Sequence, residues 1–209
     1  MKIIEPSYEI LTLIDGQEIL STIEQVARTC YKSEGKIDIG SAERMVAGLI
    51  KNGHEAMIEF FDITVKFVHN RGFSHEMVRH RHCSFAQEST RYCNYSTDKF
   101  GNEITVIKPY WLPEDESSED FIEWNNAMAA VEGNYFTLLR LDQKPQAARG
   151  VLPNDLKTEI VVKANLREWR AIFKLRTAPP AHPDMRRVMI PLLAEFKKRV
   201  PVLFDDIPC

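Results

Sequence analysis

The sequence predicts an α+β fold in a single domain, residues 1–209, on three observations. Segments with the 3.6-residue period of helices and segments with the two-residue period of strands both occur, without the regular alternation of a doubly wound sheet. A chain of 209 residues suits one substantial hydrophobic core better than two small ones. The 44% hydrophobic and 27% charged residues are typical of a folded globular protein.

The N-terminal quarter predicts extended chain followed by two helices. We expect residues 2–14 to be extended in part. Residues 16–31 place apolar side chains three and four positions apart, as one face of a helix requires. Residues 41–54 predict a second helix, with Ser41 as its N-cap and Gly53 as its stop.

The clearest strand covers residues 60–70, where apolar residues alternate with Asp, Thr and Lys. We expect His69 at the surface end of this strand. Ser74 is predicted to cap a short helix over residues 75–82, which would deliver arginines to its C-terminal end. Residues 103–110 predict a further strand.

The C-terminal half predicts three helices and one strand. Residues 117–141 form a long amphipathic pattern whose aromatic stripe, around Trp124, is expected in the core or a subunit interface. Residues 157–164 predict a strand, residues 166–176 a helix, and residues 182–200 a last helix that contains a proline.

Charge and composition exclude several classes of protein. A net charge of −3 argues against a surface built to coat nucleic acid. The start carries Glu5 and Pro6 where a signal peptide needs an apolar run, and no stretch reaches the length of a membrane span. We therefore expect a cytoplasmic protein with no nucleic-acid or membrane partner.

The four cysteines, Cys30, Cys83, Cys93 and Cys209, are widely separated and form no C-x-x-C pair. This spacing predicts reduced thiols rather than a disulfide framework. The histidines near Cys83 pack too tightly in sequence to match structural zinc sites, so we expect no metal.

Cations concentrate in "RHRHCSFAQESTRY", residues 79–92, where three arginines and one glutamate give a formal charge of +2. Guanidinium forks, together with the hydroxyls of Ser84, Ser89 and Thr90, suit phosphate or carboxylate ligands. Two readings stay open at this point: a solvated basic turn, and a nucleotide- or single-stranded nucleic-acid-binding surface on which Phe85 and Tyr92 stack bases without catalysis.

Four motifs in the expected order resemble the flavin-dependent thymidylate synthases (ThyX family). Residues 79–81 followed after seven residues by Ser89 match the RHR-x7-S signature. "NGHEAMIEF" precedes the clear strand, "ARGVLP" begins near Arg149, and "NLREWRAIFKLR" supplies the late N-x-R and a distal arginine. The resemblance spans about residues 50–199.

The resemblance implies a mixed or antiparallel sheet with flanking helices, and a methyltransferase that converts dUMP to dTMP. Methylenetetrahydrofolate would give the one-carbon unit, and FAD reduced by NADPH would supply hydride. It also implies a homotetramer with active sites shared between subunits. These ligands are anions, so the cations clustered in residues 79–92 of this acidic chain would bind them.

The resemblance also assigns roles to residues. Arg176 would be catalytic, because a permanent cation beside the uracil ring stabilises developing negative charge. The dUMP contacts would be Glu76, Arg79, Gln87, Ser89, Arg91, Arg149 and Arg176. The FAD contacts would be His54, Glu59, Arg79, His80, Arg81, Gln87, Asn165, Arg167 and His182.

The chain departs from the family pattern at four positions. The family often has Ser or Thr at Ala56, Asn at Ala86, Glu at Gln87, and Asn or His at Ala171. Cys83 lies within the cation cluster but is expected to pack rather than attack the substrate, because reduced flavin carries the redox step.

Overall fold

The computed structural model describes residues 1–208, and Cys209, one of the four thiols expected to be reduced, lies outside the described residues. The strands are β1 (Lys2–Ile4), β2 (Ser7–Ile10), β3 (Asp62–Asn70), β4 (Cys83–Gln87), β5 (Thr105–Ile107) and β6 (Lys157–Asn165). The helices are α1 (Gly16–Tyr31), α2 (Ser41–Lys51), α3 (Arg71–Met77), α4 (Glu119–Arg140), α5 (Pro145–Ala148), α6 (Leu166–Arg176), α7 (Pro183–Arg199) and α8 (Pro201–Phe204). The predicted α+β class is confirmed.

The strands form two sheets. β1 and β5 pair in parallel, and the four-stranded sheet has the order β2-β3-β6-β4. Phe61 O accepts a hydrogen bond from Leu166 N at one end of the β3–β6 pair, and Asn154 O accepts from Arg71 N at the other. These two strands therefore run antiparallel. No helix within residues 1–208 is long and apolar enough to cross a membrane.

The chain divides into two compact units. Unit 1 comprises Met1–Ser7, Phe67–Arg79 and Ala86–Ile160. Unit 2 comprises Tyr8–Lys66, His80–Phe85 and the chain from Val161 onward. The assignment of residues 1–209 to one domain remains a prediction.

The core of unit 1 forms around α4. Trp124 and Tyr135 are buried among Ile104, Val106 and neighbouring aliphatic side chains. The indole Nε1 of Trp124 donates to a carboxylate oxygen of Asp155 at 2.9 Å, so the polar edge of the ring is satisfied. The expectation that the aromatic stripe of this helix reaches the core is confirmed for Trp124.

The core of unit 2 contains four packed aromatic rings. Trp169 and Phe173 of α6 meet Phe196 of α7 and Phe204 of α8, with ring centroids 5.0–5.9 Å apart. All four side chains are fully buried. This packing fixes the axis of α6, the helix that carries several predicted site residues.

Three local expectations are wrong. Gly40, not Ser41, is the N-cap of α2; its φ of +77° disfavours other residues, and the Ser41 hydroxyl instead donates to Glu24. The short helix begins at Arg71 because the Asn70 side chain accepts from Phe73 N. It ends at Met77, so the arginines of the cation cluster follow it rather than forming its last turn.

The expectation that His69 lies at the surface is also wrong. Its side chain is fully buried in unit 1 rather than exposed. The imidazole stacks on Phe73 with ring centroids 4.4 Å apart, and its Nδ1 accepts from Asn70 N. Stacking on the first turn of α3 therefore draws the end of β3 inward.

Candidate active site

In unit 1, the Ser89 segment forms a turn that carries two of the predicted phosphate ligands. The Ser89 carbonyl accepts from the amides of Tyr92 and Cys93, and its hydroxyl accepts from Arg91 N at 3.3 Å. The Arg91 guanidinium is exposed, donates from Nε to the Gln146 side chain at 3.4 Å, and lies over the Tyr92 ring.

A cavity of about 300 Å³ in the same unit is lined by Arg71, Thr90 and Arg149 together with Leu152 and Leu156. Arg149 donates from Nη1 to the buried Thr90 hydroxyl at 3.4 Å. Two guanidinium groups and a hydroxyl at one cavity suit an anion with several oxygens.

The family departure at Gln87 has a defined hydrogen-bond environment. The Gln87 Nε2 group donates to Ser74 Oγ at 2.9 Å and to Thr158 Oγ1 at 3.1 Å. Ser74 is fully buried and uses its own proton on Arg71 O, so its oxygen can only accept from Gln87. As long as Ser74 donates to Arg71 O, residue 87 must therefore supply a donor hydrogen to the Ser74 oxygen.

Glu88 anchors the chain between Gln87 and Ser89, a role that sequence reasoning missed. Its carboxylate accepts from Tyr95 OH at 2.9 Å and from Lys157 Nζ at 2.8 Å. Its amide donates to Glu159 O, which ties β4 to β6. Burial and the Glu88 charge raise the pKa of Tyr95, so the phenol stays protonated as a donor.

In unit 2, Arg176 at the end of α6 meets His80. Arg176 Nε donates to His80 Nε2 at 2.9 Å, and His80 Nδ1 lies 3.6 Å from Glu168 Oε1. Burial, together with the Arg176 cation, lowers the pKa of His80 from 6.5 to about 4. At neutral pH the imidazole is therefore an uncharged acceptor for the guanidinium.

A larger cavity of unit 2, about 430 Å³, is lined by the polar face of α6. Glu59, Asn165 and Arg167 of the predicted flavin set lie there, with His82, Glu168, Ala171 and Lys174. Arg167 donates from Nη1 to Glu59 at 2.6 Å, in a pair that is half exposed on both sides. Asn165 caps α6 by accepting from Glu168 N, which leaves its amide nitrogen for a ligand.

The remaining flavin candidates of unit 2 lie on turns. His54 is exposed just before a short 3-10 helix, and Arg81 is exposed in the turn that precedes β4. His182 caps α7, accepting at Nδ1 from Asp184 N at 3.3 Å. Neither His54, Arg81 nor His182 lines the 430 Å³ cavity.

Each unit thus gathers a different part of the predicted set. Unit 1 holds most of the dUMP candidates: Glu76, Arg79, Gln87, Ser89, Arg91 and Arg149. Unit 2 holds Arg176 and most of the FAD candidates: His54, Glu59, His80, Arg81, Asn165, Arg167 and His182. Among residues 1–208, no group of three His, Cys, Asp or Glu side chains is placed to hold a metal ion.

Cys83 is half-buried at the start of β4. Burial and the Glu168 charge raise the pKa of its thiol to about 12. The thiol is therefore protonated near neutral pH and poorly nucleophilic, which agrees with a packing role.

Comparison with known proteins shows which family this chain resembles. The family model described as "Thymidylate synthase complementing protein" matches residues 12–202. The flavin-dependent thymidylate synthases of Corynebacterium aurimucosum and Mycobacterium marinum are each 32% identical, over 91% and 92% of this chain and 81% and 80% of theirs.

A solved structure has the same fold. It is the UMP/dUMP methylase PolB from Streptomyces cacaoi bound with 5-Br dUMP, with a TM-score of 0.80 and 19% identity over 98% of this chain and 96% of that one. The family model covers nearly the whole chain, and each of the two relatives matches about nine-tenths of it. This chain belongs to the thymidylate synthase complementing protein (Thy1) family, that of the flavin-dependent thymidylate synthases.

Proposed function

We propose that this protein methylates dUMP to dTMP, taking the one-carbon unit from methylenetetrahydrofolate and using FAD reduced by NADPH as hydride source. The observation that carries the proposal is the way two arginines of unit 1 are held. Arg91 and Arg149 each donate to an uncharged acceptor, Gln146 and Thr90 respectively. Such acceptors orient a guanidinium without neutralising it, so positive charge stays available for an anion.

In this proposal the dUMP phosphate binds Ser89, Arg91 and Arg149. Glu76, Arg79 and Gln87 contribute to the same nucleotide pocket. Gln87 commits both amide hydrogens to Ser74 and Thr158, so it offers the nucleotide an acceptor oxygen only. Arg176 stabilises the negative charge that develops on the uracil ring.

The residues of the 430 Å³ cavity fit part of an FAD molecule. The half-exposed pair of Arg167 with Glu59 is weakened by solvent, so the guanidinium can exchange its partner for a phosphate oxygen. Lys174 lies one helical turn from Ala171 and supplies a donor where the alanine has none. When bound, the flavin supplies the hydride-transfer chemistry. The proposed flavin set is completed by His54, Arg79, His80, Arg81, Gln87, Asn165 and His182.

We also propose a homotetramer with active sites shared between subunits, in the cytoplasm. Large apolar side chains on the surface of unit 2 support an assembly, for example Ile39 and Leu13, which are 99% and 81% exposed. Light scattering on the purified protein tests the oligomeric state, and a monomer at micromolar concentration would contradict it.

The decisive test is turnover with a matched pair of arginine variants. Purified protein supplied with FAD, NADPH, methylenetetrahydrofolate and dUMP should form dTMP. Arg176→Ala should lower kcat by about 100-fold or more with flavin still bound, because one stabilising donor is worth about that much. Arg140→Ala, an exposed arginine of α4, should leave turnover unchanged.

A protein that takes up no FAD and forms no dTMP would overturn the proposal. Steeply salt-dependent binding of oligonucleotides by such a colourless protein would instead support the nucleic-acid alternative. The family membership of the chain does not favour that alternative.

A further inference from the structure

We infer that Glu168 positions Arg176 for the reaction by acting through the imidazole of His80. The inference rests on the proposed function and adds a residue to it, since Glu168 lies within the segment "NLREWRAIFKLR" but is not among the predicted contacts. Glu168 is a positioning residue, because its carboxylate faces His80 rather than a reacting group, while its backbone amide donates to the side chain of the N-cap Asn165.

The three side chains form a short chain of polar contacts inside unit 2. Arg176 Nε donates to His80 Nε2 at 2.9 Å, and the opposite nitrogen, Nδ1, faces Glu168 Oε1 at 3.6 Å. His80 is 9% exposed, and the side chain of Glu168 is 14% exposed. Little water is therefore present to replace either contact.

Donor and acceptor chemistry fixes where the imidazole proton lies. A guanidinium is always protonated, so the nitrogen that receives Arg176 Nε–H must carry a lone pair. In a neutral imidazole the proton then resides on Nδ1, and the Glu168 carboxylate faces that proton. Glu168 thus favours the one tautomer in which His80 can accept from Arg176.

The same helix carries both ends of the arrangement. Glu168 lies in the first turn of α6 and Arg176 in its last turn, so neither can approach the other directly. His80, from the turn before β4, bridges the gap. The Glu168 carboxylate therefore acts on Arg176 through the imidazole.

A purely structural role for Glu168 must be separated from this one. Asn165 and Glu168 have the spacing of a capping box, in which the glutamate would accept from the N-cap amide. Loss of such a cap lowers helix stability but does not change the tautomer of a histidine 88 positions away in sequence. The tautomer is therefore the readout that distinguishes the two roles.

The experiment uses the FAD-loaded protein labelled with ¹⁵N-histidine. Two-bond ¹H–¹⁵N correlation spectra show which ring nitrogen carries the proton, and His80→Asn identifies the His80 signals by their loss. The wild type should show the proton on Nδ1. Glu168→Ala should give a mixture of tautomers, whereas Glu168→Gln, whose amide oxygen still accepts, should keep the wild-type pattern.

Turnover should follow the tautomer. Loss of this polar contact, which holds the imidazole in one tautomer, predicts a fall in kcat of about tenfold for Glu168→Ala, with KM for dUMP within about twofold and flavin content unchanged. Glu168→Gln should recover most of kcat. Glu43→Gln, an exposed carboxylate in α2, is the matched control and should behave as wild type.

Two results would overturn the inference. The first is a Glu168→Ala protein in which His80 keeps the wild-type tautomer. The second is a Glu168→Ala protein in which the tautomer changes but kcat equals that of the Glu43→Gln control. If Glu168→Ala does not fold, Glu168→Thr, a shorter polar residue at the same helix position, takes its place. A wild type without thymidylate synthase activity would defeat the proposed function, but the tautomer comparison would still decide the positioning role.

Discussion

Replacing Gln87 with glutamate, the residue often found there in the family, should destabilise this protein. The change Gln87→Glu removes both donor hydrogens that now satisfy Ser74 Oγ and Thr158 Oγ1. Ser74 already donates to Arg71 O, so its oxygen would face a carboxylate that also only accepts. Ser74 is fully buried, and water cannot restore the bond.

The expected cost follows from the bond lost at Ser74, since the Thr158 hydroxyl can turn and donate to the new carboxylate. A buried acceptor left without its donor costs about 1–3 kcal/mol of unfolding free energy at pH 7. Only the protonated form of the new acid can donate to the Ser74 oxygen, so its pKa is raised in the folded state and the folded chain binds its proton more tightly. The deficit should therefore shrink as pH falls through that folded pKa.

Urea denaturation of wild type and variant across pH 5 to 8 measures both effects. The matched control is Gln146→Glu, the same chemical change at an exposed glutamine whose oxygen accepts from Arg91. It should shift stability by less than about 0.5 kcal/mol, because the acceptor is retained. Equal stability of the two variants at pH 7 would refute the donor argument.

Three further predictions concern stability and reactivity. The folded pKa of His80 is lowered from 6.5 to about 4, so as pH falls the unfolded chain binds a proton at this histidine before the folded chain does. The free energy of unfolding should therefore fall by up to about 3 kcal/mol as pH is lowered from 6.5 to 4. Urea titrations of His80→Asn should lack this part of the pH dependence. The pKa of the Cys83 thiol is raised to about 12, so at pH 8 it should react with iodoacetamide at least tenfold more slowly than the exposed Cys30. Peptide mass spectrometry follows both reactions, and equal rates would contradict the burial of Cys83. Asp206→Ala removes the bidentate partner of the buried Arg170 and should lower the free energy of unfolding by about 2 kcal/mol, as measured by urea denaturation. This loss is smaller than for a fully buried pair, because the Asp206 side chain is nearly half exposed. An unchanged urea midpoint would show that the pair contributes nothing to stability.

Elements with a strong period could be predicted from the sequence. β3 and β6 each bury alternate residues, and the observed bounds differ from the predicted ones by two residues or fewer. The predicted start and end of α1 and α6 agree with the structure. In these segments local pattern and tertiary burial favour the same conformation, so one sequence window carries enough information.

β4 could not be predicted because it is short and only partly buried. Cys83–Gln87 lies at the edge of the four-stranded sheet, and its residues alternate between half-buried and exposed, with none fully buried. An edge strand needs backbone pairing on only one side, and Glu88 N contributes such a bond to Glu159 O across 71 residues of sequence. Short edge segments of this kind are positioned by their partner strand rather than by their own residues.

The site shows the same division between residue type and partner. Sequence motifs selected the arginines, but the acceptors that hold them are distant in sequence: Thr90 for Arg149 and His80 for Arg176. Thr90 is buried and lies far from Arg149 in sequence, so the fold and not the local motif sets the direction of that guanidinium. A solvated basic turn needs no defined acceptor, whereas an anion site needs guanidinium groups that are oriented and still charged. The distant acceptors that orient these arginines are therefore a part of the site that a count of charges along the chain does not contain.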